Sequence, residues 1–306
     1  MKLFLGVDGG QSSTKAVIGD EGGRVLGAGL GGPSNHAGAA EGRARLEGGV
    51  SAAVAAACQA AGLDAAAVTF EAACFGMSGG PDDKRQILSA MLRTNRLIVT
   101  TDAVIALSGA TAAGRGIVVV AGTGSMAYGR NPEGSAARAG GWGYVFGDEG
   151  GAFDMVRRAL RAALRMEEGW GPPTALRVAL LEASGARDAN QALHRFYDGQ
   201  WTHARIASLA PLVDAAARAG DGVALEIVRQ SAKELALLAS AVRGQLWKPG
   251  DRVEVAYVGG AFGSPLLLER FKLLVEKEDG NRCAAPLRDP AEGALLEACR
   301  AAGLAL

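Results

Sequence analysis

The chain has 306 residues, 49% of them hydrophobic, and its 32 basic residues balance its 32 acidic ones. This length allows one large domain or two medium-sized ones with a substantial core. A net charge of zero without a dense Lys/Arg run argues against a nucleic-acid-binding surface. No run of eighteen apolar residues is present and the first residues lack the features of a signal peptide, so we expect no membrane partner and a cytoplasmic location.

Four cysteines are spread through the chain. They are Cys58, Cys74, Cys283 and Cys299. None belongs to a CxxC pair and no histidine cluster accompanies them, which disfavours zinc and iron–sulfur sites. We therefore expect free, buried thiols in a reducing compartment.

The first part of the chain predicts three strands in succession, followed by helices that alternate with strands. The strands are short apolar runs bounded by glycine turns. They lie at 3–7, 15–18, 24–28, 72–77 and 97–101. Apolar residues at helical spacing predict helices over 41–61 and 83–93.

The remainder repeats this order of elements with a long helical insertion. The predicted strands lie at 117–121, 126–129, 136–139 and 253–258. Helices follow the GDEGG sequence and fill most of 170–250, where one apolar stripe runs from Ile227 to Val242. Another helix covers 266–275. The closing helix begins at Asp289, with proline next and glutamate three residues after the cap.

This repeated order predicts an α/β protein in which mixed sheets carry helices on their faces. We place a first unit at 1–110 and expect the closing helix, 289–306, to pack back onto it. A second unit covers 111–288 and contains the helical insertion at about 150–250. Two such units facing each other would leave a cleft for ligands.

Three glycine-rich turns after predicted strands suit a nucleotide, because glycine amides approach anions closely and hydroxyl groups donate to phosphate oxygens. The candidate residues of the first two turns are Gly9, Gly10, Ser12, Ser13, Thr14, Lys15, Gly122, Thr123, Gly124 and Ser125. Gly259, Gly260 and Gly263 form the third, which suits packing against a nucleoside. Asp8 is a candidate magnesium ligand, acting through water. No Walker or dinucleotide motif is present, and each turn alone is typical of an ordinary hairpin.

Polar residues at other strand ends are candidates for binding an acceptor molecule. Asp102 directly follows the strand at 97–101 and is our candidate base for an acceptor hydroxyl. The alternative, an N-cap for a helix that begins at Ala103, is compatible with that role. Asn35 can donate and accept, which suits a sugar hydroxyl. Ser78 ends the strand at 72–77.

The segment GGWGYVFGDEGG, residues 140–151, alternates glycines with aromatic residues before two adjacent acids. Aromatic faces stack on sugar rings, and carboxylates accept hydrogen bonds from hydroxyl groups. We therefore count Gly141, Trp142, Asp148 and Glu149 among the candidate sugar contacts. In the alternative interpretation, Trp142 packs in the core and the acids favour the N-terminus of the next helix.

Together, the sequences SNH, MSGG, TTDA, AGTGS, GGWGYVFGDEGG and VGGAFGS resemble the N-acetylglucosamine kinase branch of the BadF/BadG/BcrA/BcrD ATPases. These belong to the sugar kinase/actin/heat-shock-protein superfamily. The resemblance covers nearly the whole chain in element order. It implies a duplicated ribonuclease H-like (actin/hexokinase-like) fold with two lobes, mixed five-stranded sheets and an ATP cleft between the lobes. It also implies a homodimer.

The resemblance implies magnesium-dependent transfer of the ATP γ-phosphate to the primary hydroxyl of N-acetylglucosamine, giving the 6-phosphate. It makes Asp102 the base, Asn35 and Asp148 sugar contacts, and Thr123 a phosphate contact. The sequence departs from many members at Gln11-Ser12-Ser13 and at Tyr144-Val145-Phe146. Glucosamine, N-acetylmuramic acid and glucose stay open as substrates. An ATPase that activates a radical dehydratase and a sugar or nucleotide sensor without turnover stay open as functions.

Overall fold

The computed structural model describes residues 2–10, 13–34, 40–78, 84–199 and 201–305. The chain forms two compact units. The first comprises Met1–Gly116 and Ala285–Leu306, and the second comprises Ile117–Ala284. No helix in these described ranges is both long enough and apolar enough to cross a bilayer.

The first unit is built on a five-stranded sheet with the order β3-β2-β1-β4-β5. Its strands are β1 (Phe4–Gly9), β2 (Thr14–Gly19), β3 (Val25–Gly31), β4 (Ala72–Met77) and β5 (Leu97–Thr101). The helices α1 (Ala40–Ala60), α2 (Arg85–Met91) and α3 (Asp102–Ala110) connect or follow them. β1, β2 and β3 pair antiparallel, whereas β4 is parallel to both β1 and β5. Every residue of β4 is buried, as expected for a parallel strand covered on both faces.

Alternating glycines in β3 explain how closely α1 packs on the sheet. A Cβ at Gly27 would lie 2.4 Å from the carbonyl oxygen of Ala57, and one at Gly29 would lie 2.3 Å from that of Ala53. Both carbonyls belong to the backbone of α1, which no side-chain rotation can move away. These glycines therefore serve helix–sheet packing.

The second unit is built on a five-stranded sheet with the order β10-β9-β6-β7-β8. Its strands are β6 (Gly116–Ala121), β7 (Ser125–Arg130), β8 (Ala136–Gly140), β9 (Val253–Val258) and β10 (Asn281–Ala284). Its helices are α4 (Ala152–Glu167), α5 (Leu176–Ser184), α6 (Ala189–Tyr197), α7 (His203–Ala207), α8 (Ala210–Arg218), α9 (Gly222–Leu246) and α10 (Pro265–Val275). β6, β9 and β10 are parallel, and α4 to α9 lie between β8 and β9 in the chain.

These two mixed sheets with flanking helices confirm the predicted fold class. The prediction was wrong in one element, because β10 was not assigned as a strand. This edge strand has only four residues and pairs with β9 alone, so its sequence carries little local pattern. The helix predicted at 83–93 is also shorter, spanning Arg85–Met91.

The closing helix α11 (Pro290–Ala301) packs onto the sheet of the first unit, with Leu295 in a buried cluster beside Phe4 of β1 and Cys74 of β4. Its predicted start is confirmed by a full capping box. The Asp289 carboxylate accepts from the Glu292 backbone N–H at 3.0 Å, and the Glu292 carboxylate accepts from the Asp289 N–H at 3.3 Å.

We expect Gly6→Ala to destabilise the first unit, because a Cβ there would lie 2.2 Å from the backbone nitrogen of Leu295 in α11. Backbone must then move, at an expected loss of about 3 kcal/mol. The control is Gly48→Ala in α1, where nothing lies within 4 Å of the new Cβ. Thermal unfolding of Gly6→Ala and of this control measures the effect. The control should gain about 0.5–1 kcal/mol from helix propensity. Equal unfolding temperatures for the two variants would contradict this packing.

Candidate functional site

In the first unit, candidate residues meet at the carboxyl ends of three parallel strands. Asp8 and Gly9 end β1, Ser78 follows β4, and Asp102 follows β5. Ser78 joins the other two positions, because its backbone N–H donates to the Gly9 carbonyl at 3.1 Å and its hydroxyl donates to Asp102 Oδ2 at 2.9 Å. This edge is where open α/β sheets bind their ligands.

The carboxylate of Asp102 is held by one donor on each oxygen. Ser78 donates to Oδ2, and the backbone N–H of Ala103 donates to Oδ1 at 2.9 Å. The N-cap interpretation was wrong by one residue, since Thr101 is the cap and Asp102 is the first residue of α3. Each oxygen keeps a lone pair for a further donor, and a carboxylate in the first turn is favoured by the helix dipole.

Asp8 lies in a cluster of three carboxylates and one ammonium group. Burial, followed by the negative charges of Asp102 and Asp289, raises its pKa from 3.8 to about 6, and Lys15 partly opposes this rise. The Lys15 ammonium pairs with Asp289 at 2.5 Å. The cluster therefore carries an excess of negative charge that a cation would relieve.

This donor set fits a magnesium ion held mostly through water. Within the described ranges, no three His, Cys, Asp or Glu side chains converge closely enough to form a metal cage. Mg²⁺ commonly binds one or two carboxylates together with water and substrate phosphates. Asp8, whose raised pKa reflects unfavourable ionisation without a counter-charge, suits that role.

The first glycine turn packs tightly and uses some of its predicted phosphate donors internally. A Cβ at Gly9 would lie 2.5 Å from the Met77 sulfur, so a larger residue would require the buried Met77 side chain to move. The Gly10 N–H donates to the Ser13 carbonyl at 3.0 Å. Thr14 is fully buried and its hydroxyl donates to the Gly32 carbonyl at 2.7 Å, which directs it away from any ligand. Ser12 and Asn35 lie outside the described residues.

In the second unit, the turn after β6 and the turn after β9 contact each other at one sheet edge. Gly259 makes this possible, because its φ of +114° favours glycine and a Cβ there would lie 2.3 Å from the Ala121 carbonyl oxygen. Gly260 and Gly263 beside it are exposed, with open space where a Cβ would lie. The predicted phosphate and adenosine turns are thus neighbours within this unit.

Within the turn after β6, the Thr123 side chain has the hydroxyl that is available to bind a ligand. It forms no hydrogen bond with other described side chains, whereas Ser125 is buried and donates to the Glu149 carbonyl at 2.6 Å. The Gly122 N–H is used by the Gly124 carbonyl at 3.0 Å. Thr123 is therefore the better candidate for a side-chain contact with phosphate.

Asp148 connects the GDEGG sequence to this turn. It adopts a φ of +64°, and its carboxylate accepts from the backbone N–H groups of Ser125 and Gly143. Burial raises its pKa, as do the charges of Glu149 and Asp154, while the two N–H bonds oppose the rise. The strained backbone and these donors fix the position of the carboxylate beside the turn.

Trp142 is presented to solvent, so the interpretation that it packs in the core was wrong. Its side chain is 66% exposed, and the Arg138 guanidinium lies 4.8 Å from the centroid of its ring. Val145 and Phe146 are likewise exposed, Phe146 by 83%. Gly141 precedes this group with a φ of +73°. The loop thus offers aromatic faces on which a ligand can stack.

The four cysteines are free thiols; Cys58, Cys74 and Cys299 are buried and Cys283 is half-buried. Burial raises the pKa of every one of them, to about 12 for Cys283 and about 11 for Cys299. Thiols with such pKa values stay protonated at neutral pH and are poor nucleophiles and poor ligands.

Sequence reasoning missed the role of Asp289. It was recognised only as a helix cap, yet it also pairs with Lys15 and raises the pKa of Asp8. Because 274 residues separate Asp289 from Lys15, no local pattern could indicate this contact.

Comparison with protein families gives a match over residues 5–298 to the BadF/BadG/BcrA/BcrD ATPase family. The chain belongs to this family. The resemblance seen in the sequence is thereby confirmed, and by family and fold the chain is grouped with ATP-dependent sugar kinases.

Three similar proteins illustrate the range of this group. An N-acetylmuramic acid/N-acetylglucosamine kinase of Clostridium acetobutylicum is 35% identical over 198 residues, which is 63% of this chain and 65% of that enzyme, just under two thirds of its length. An N-acetyl-D-glucosamine kinase of Dictyostelium discoideum is 28% identical over 96% of this chain and 97% of that enzyme. A Chromobacterium violaceum structure, provisionally named an N-acetylglucosamine kinase, has 31% identity and a TM-score of 0.80. The match covers 97% of this chain and 98% of that one.

We expect Gly124→Ala to disrupt the turn after β6, because its Cβ would lie 2.3 Å from Asp148 Oδ2. Moving this carboxylate breaks its two N–H bonds, so the unfolding temperature should fall and the KM for ATP should rise at least about tenfold. Gly122→Ala is the matched control in the same turn, with nothing within 4 Å of the Cβ. Its stability should change by less than about 0.5 kcal/mol. Equal destabilisation of both variants would contradict the geometry.

Proposed function

We propose that this protein transfers the γ-phosphate of ATP to a hydroxyl of an amino sugar, and that N-acetylglucosamine is converted to its 6-phosphate. One observation carries the proposal. The carboxylate of Asp102, oriented by Ser78 and the Ala103 N–H, stands at the ligand-binding edge of the sheet in a chain whose curated relatives are amino-sugar kinases.

In this proposal Asp102 accepts the proton of the attacking sugar hydroxyl as that oxygen forms its bond to the γ-phosphorus and ADP departs. Phosphoryl transfer needs positioning and charge stabilisation more than covalent catalysis. Ser78 is a positioning residue, because its hydroxyl already donates to Asp102. The two fixed donors keep one free lone pair of the carboxylate directed at the acceptor.

Phosphate contacts come from both glycine turns. In the second unit, the hydroxyl of Thr123 and the backbone amides of Thr123 and Gly124 are the donors we assign to phosphate oxygens. In the first unit, the exposed Ser13 is the donor. Gly260 and Gly263 permit close approach of the adenosine, because no side chain occupies that space.

A magnesium ion, when bound through Asp8, would neutralise part of the triphosphate charge. The amino sugar itself is assigned to Trp142 for stacking and to Asp148 and Glu149 for hydroxyl contacts, with Gly141 and Asn35 as further candidate contacts. Asp148 is already held by two backbone donors, so it enters the complex pre-oriented. The homodimer and the magnesium requirement remain predictions.

The proposal is tested by coupled ADP release with magnesium-ATP over a panel of acceptors. The panel contains N-acetylglucosamine, glucosamine, N-acetylmuramic acid, N-acetylmannosamine and glucose. We expect the highest kcat/KM with N-acetylglucosamine, and no turnover with 6-deoxy-N-acetylglucosamine, which should act as a competitive inhibitor. Turnover of the 6-deoxy sugar would contradict transfer to O6.

If no sugar stimulates ADP release while ATP still binds, the kinase proposal fails. The activator and sensor functions would then gain support. The activator function requires an iron–sulfur cluster, so iron content of anaerobically purified protein separates these two. The protonated, mostly buried thiols favour the kinase over the activator.

A further inference from the structure

A cavity of about 620 Å³ opens among the helices of the second unit, outside the residues assigned to the sugar and the nucleotide. This volume is typical of small-molecule sites. One side is the face of α4 from Phe153 to Leu164, and α6 and the segment 201–206 form the other. Aromatic and aliphatic side chains dominate its lining, but Arg157 and Arg161 also face it.

The wall of this cavity includes residues that belong to, or bond directly to, the two loops already assigned to ligands. Phe153 lines the cavity, and its backbone N–H donates to the Thr123 carbonyl at 3.1 Å. Tyr144, from the segment 140–151, forms part of the same wall. The rings of Tyr144 and His203 lie 3.9 Å apart between centroids, and each lies 5.3 Å from that of Phe153. The cavity thus extends the proposed sugar loop.

The positive charge of the two arginines that line the cavity is only partly compensated by acidic side chains. Asp154 is shared, since its carboxylate pairs with Arg157 at 2.6 Å and with Arg158 at 2.8 Å. The Nε of Arg157 is buried without a hydrogen-bond partner. Arg161, one turn further along α4, forms no hydrogen bond or ion pair within the described part of the chain. Of the two arginines that line the cavity, Arg157 therefore shares one carboxylate with Arg158, and Arg161 has no acidic partner among the described residues.

An apolar cavity lined by one unpaired guanidinium group, that of Arg161, is chemically complementary to a ligand that combines a hydrocarbon part with a carboxylate. We propose that it receives the acidic substituent of an amino sugar, such as the 3-O-lactyl group of N-acetylmuramic acid, with Arg161 binding its carboxylate. This inference rests on the proposed function and adds a specificity-determining residue to it. N-acetylglucosamine, which lacks the substituent, would leave the cavity empty.

The test compares N-acetylmuramic acid with N-acetylglucosamine in the wild type, Arg161→Gln and Arg165→Gln. Arg165 is the matched control, because it lies on the same helix but stacks over Trp170 at 4.7 Å outside the cavity. We expect Arg161→Gln to lower the kcat/KM ratio of the acidic to the neutral sugar by about 10- to 100-fold, the effect of a charge-assisted hydrogen bond. Arg165→Gln should leave that ratio unchanged.

Direct binding separates this inference from the kinase proposal. Calorimetric titration of each protein with N-acetylmuramic acid, without nucleotide, should show affinity that Arg161→Gln weakens by the same factor. If no sugar is phosphorylated but this difference in affinity is found, the inference stands and the kinase proposal fails. If N-acetylglucosamine is phosphorylated while N-acetylmuramic acid neither binds nor reacts, or if Arg161→Gln changes both sugars equally, the inference is overturned.

Discussion

Replacing Asp102 with asparagine is expected to lower kcat for amino-sugar phosphorylation by roughly two to four orders of magnitude. An amide cannot take the proton of the acceptor hydroxyl. The amide can keep both existing contacts. Its oxygen accepts from the Ala103 N–H, and the Ser78 hydroxyl can rotate to accept from its nitrogen. Affinity for an ATP analogue and the unfolding temperature should therefore stay close to wild type, and calorimetry and thermal unfolding measure them.

Two further variants make the Asp102 result specific. Asp64→Asn is the control, since Asp64 is an exposed carboxylate of the same unit that accepts a backbone N–H at 2.9 Å, as Asp102 does. It should leave kcat unchanged. Ser78→Ala removes only the orienting hydroxyl, so its kcat should fall about tenfold. Near-normal kcat in Asp102→Asn would remove that residue from the role of base.

The parts of this fold that sequence predicted well depend on short-range pattern. The strands β4, β5 and β9 begin and end at the predicted residues, because each is a short segment dominated by apolar or β-branched residues. The cap of α11 was equally clear, since Asp289 and Glu292 lie three residues apart. The glycine turns were located for the same reason.

The features that sequence did not predict depend on contacts between distant residues. The Thr14 hydroxyl looked available for phosphate, but it donates to the carbonyl of Gly32, the residue that follows the adjacent strand β3. Ser125 is similarly occupied by the Glu149 carbonyl. Asp289 reaches Lys15 only because α11 packs onto the first sheet. The sequence shows which hydroxyl and carboxylate side chains can form hydrogen bonds. Tertiary packing decides which partner each of them bonds to.

Replacing Asp8 with asparagine is expected to stabilise the protein and impair its chemistry. The pKa of Asp8 is about 6 in the folded protein, whereas an aspartate in the unfolded chain has the ordinary value of 3.8. Between these pH values the folded state holds more protons than the unfolded state, so stability falls as pH rises. The penalty for ionising Asp8 is absent below pH 3.8 and complete above pH 6, where it amounts to about 3 kcal/mol. Asparagine carries no such penalty.

The unfolding temperature of Asp8→Asn should thus exceed that of the wild type by several degrees at pH 8, and by about half as much at pH 5. Kinase activity at limiting magnesium should fall in the variant, since a neutral amide attracts the hydrated cation less strongly than a carboxylate does. In the wild type, the same activity should decline as pH drops below about 6, where Asp8 takes up a proton. If the variant is no more stable than the wild type at pH 8, the Lys15 ammonium already compensates the charge of Asp8. The electrostatic argument for a cation at this carboxylate would then fail.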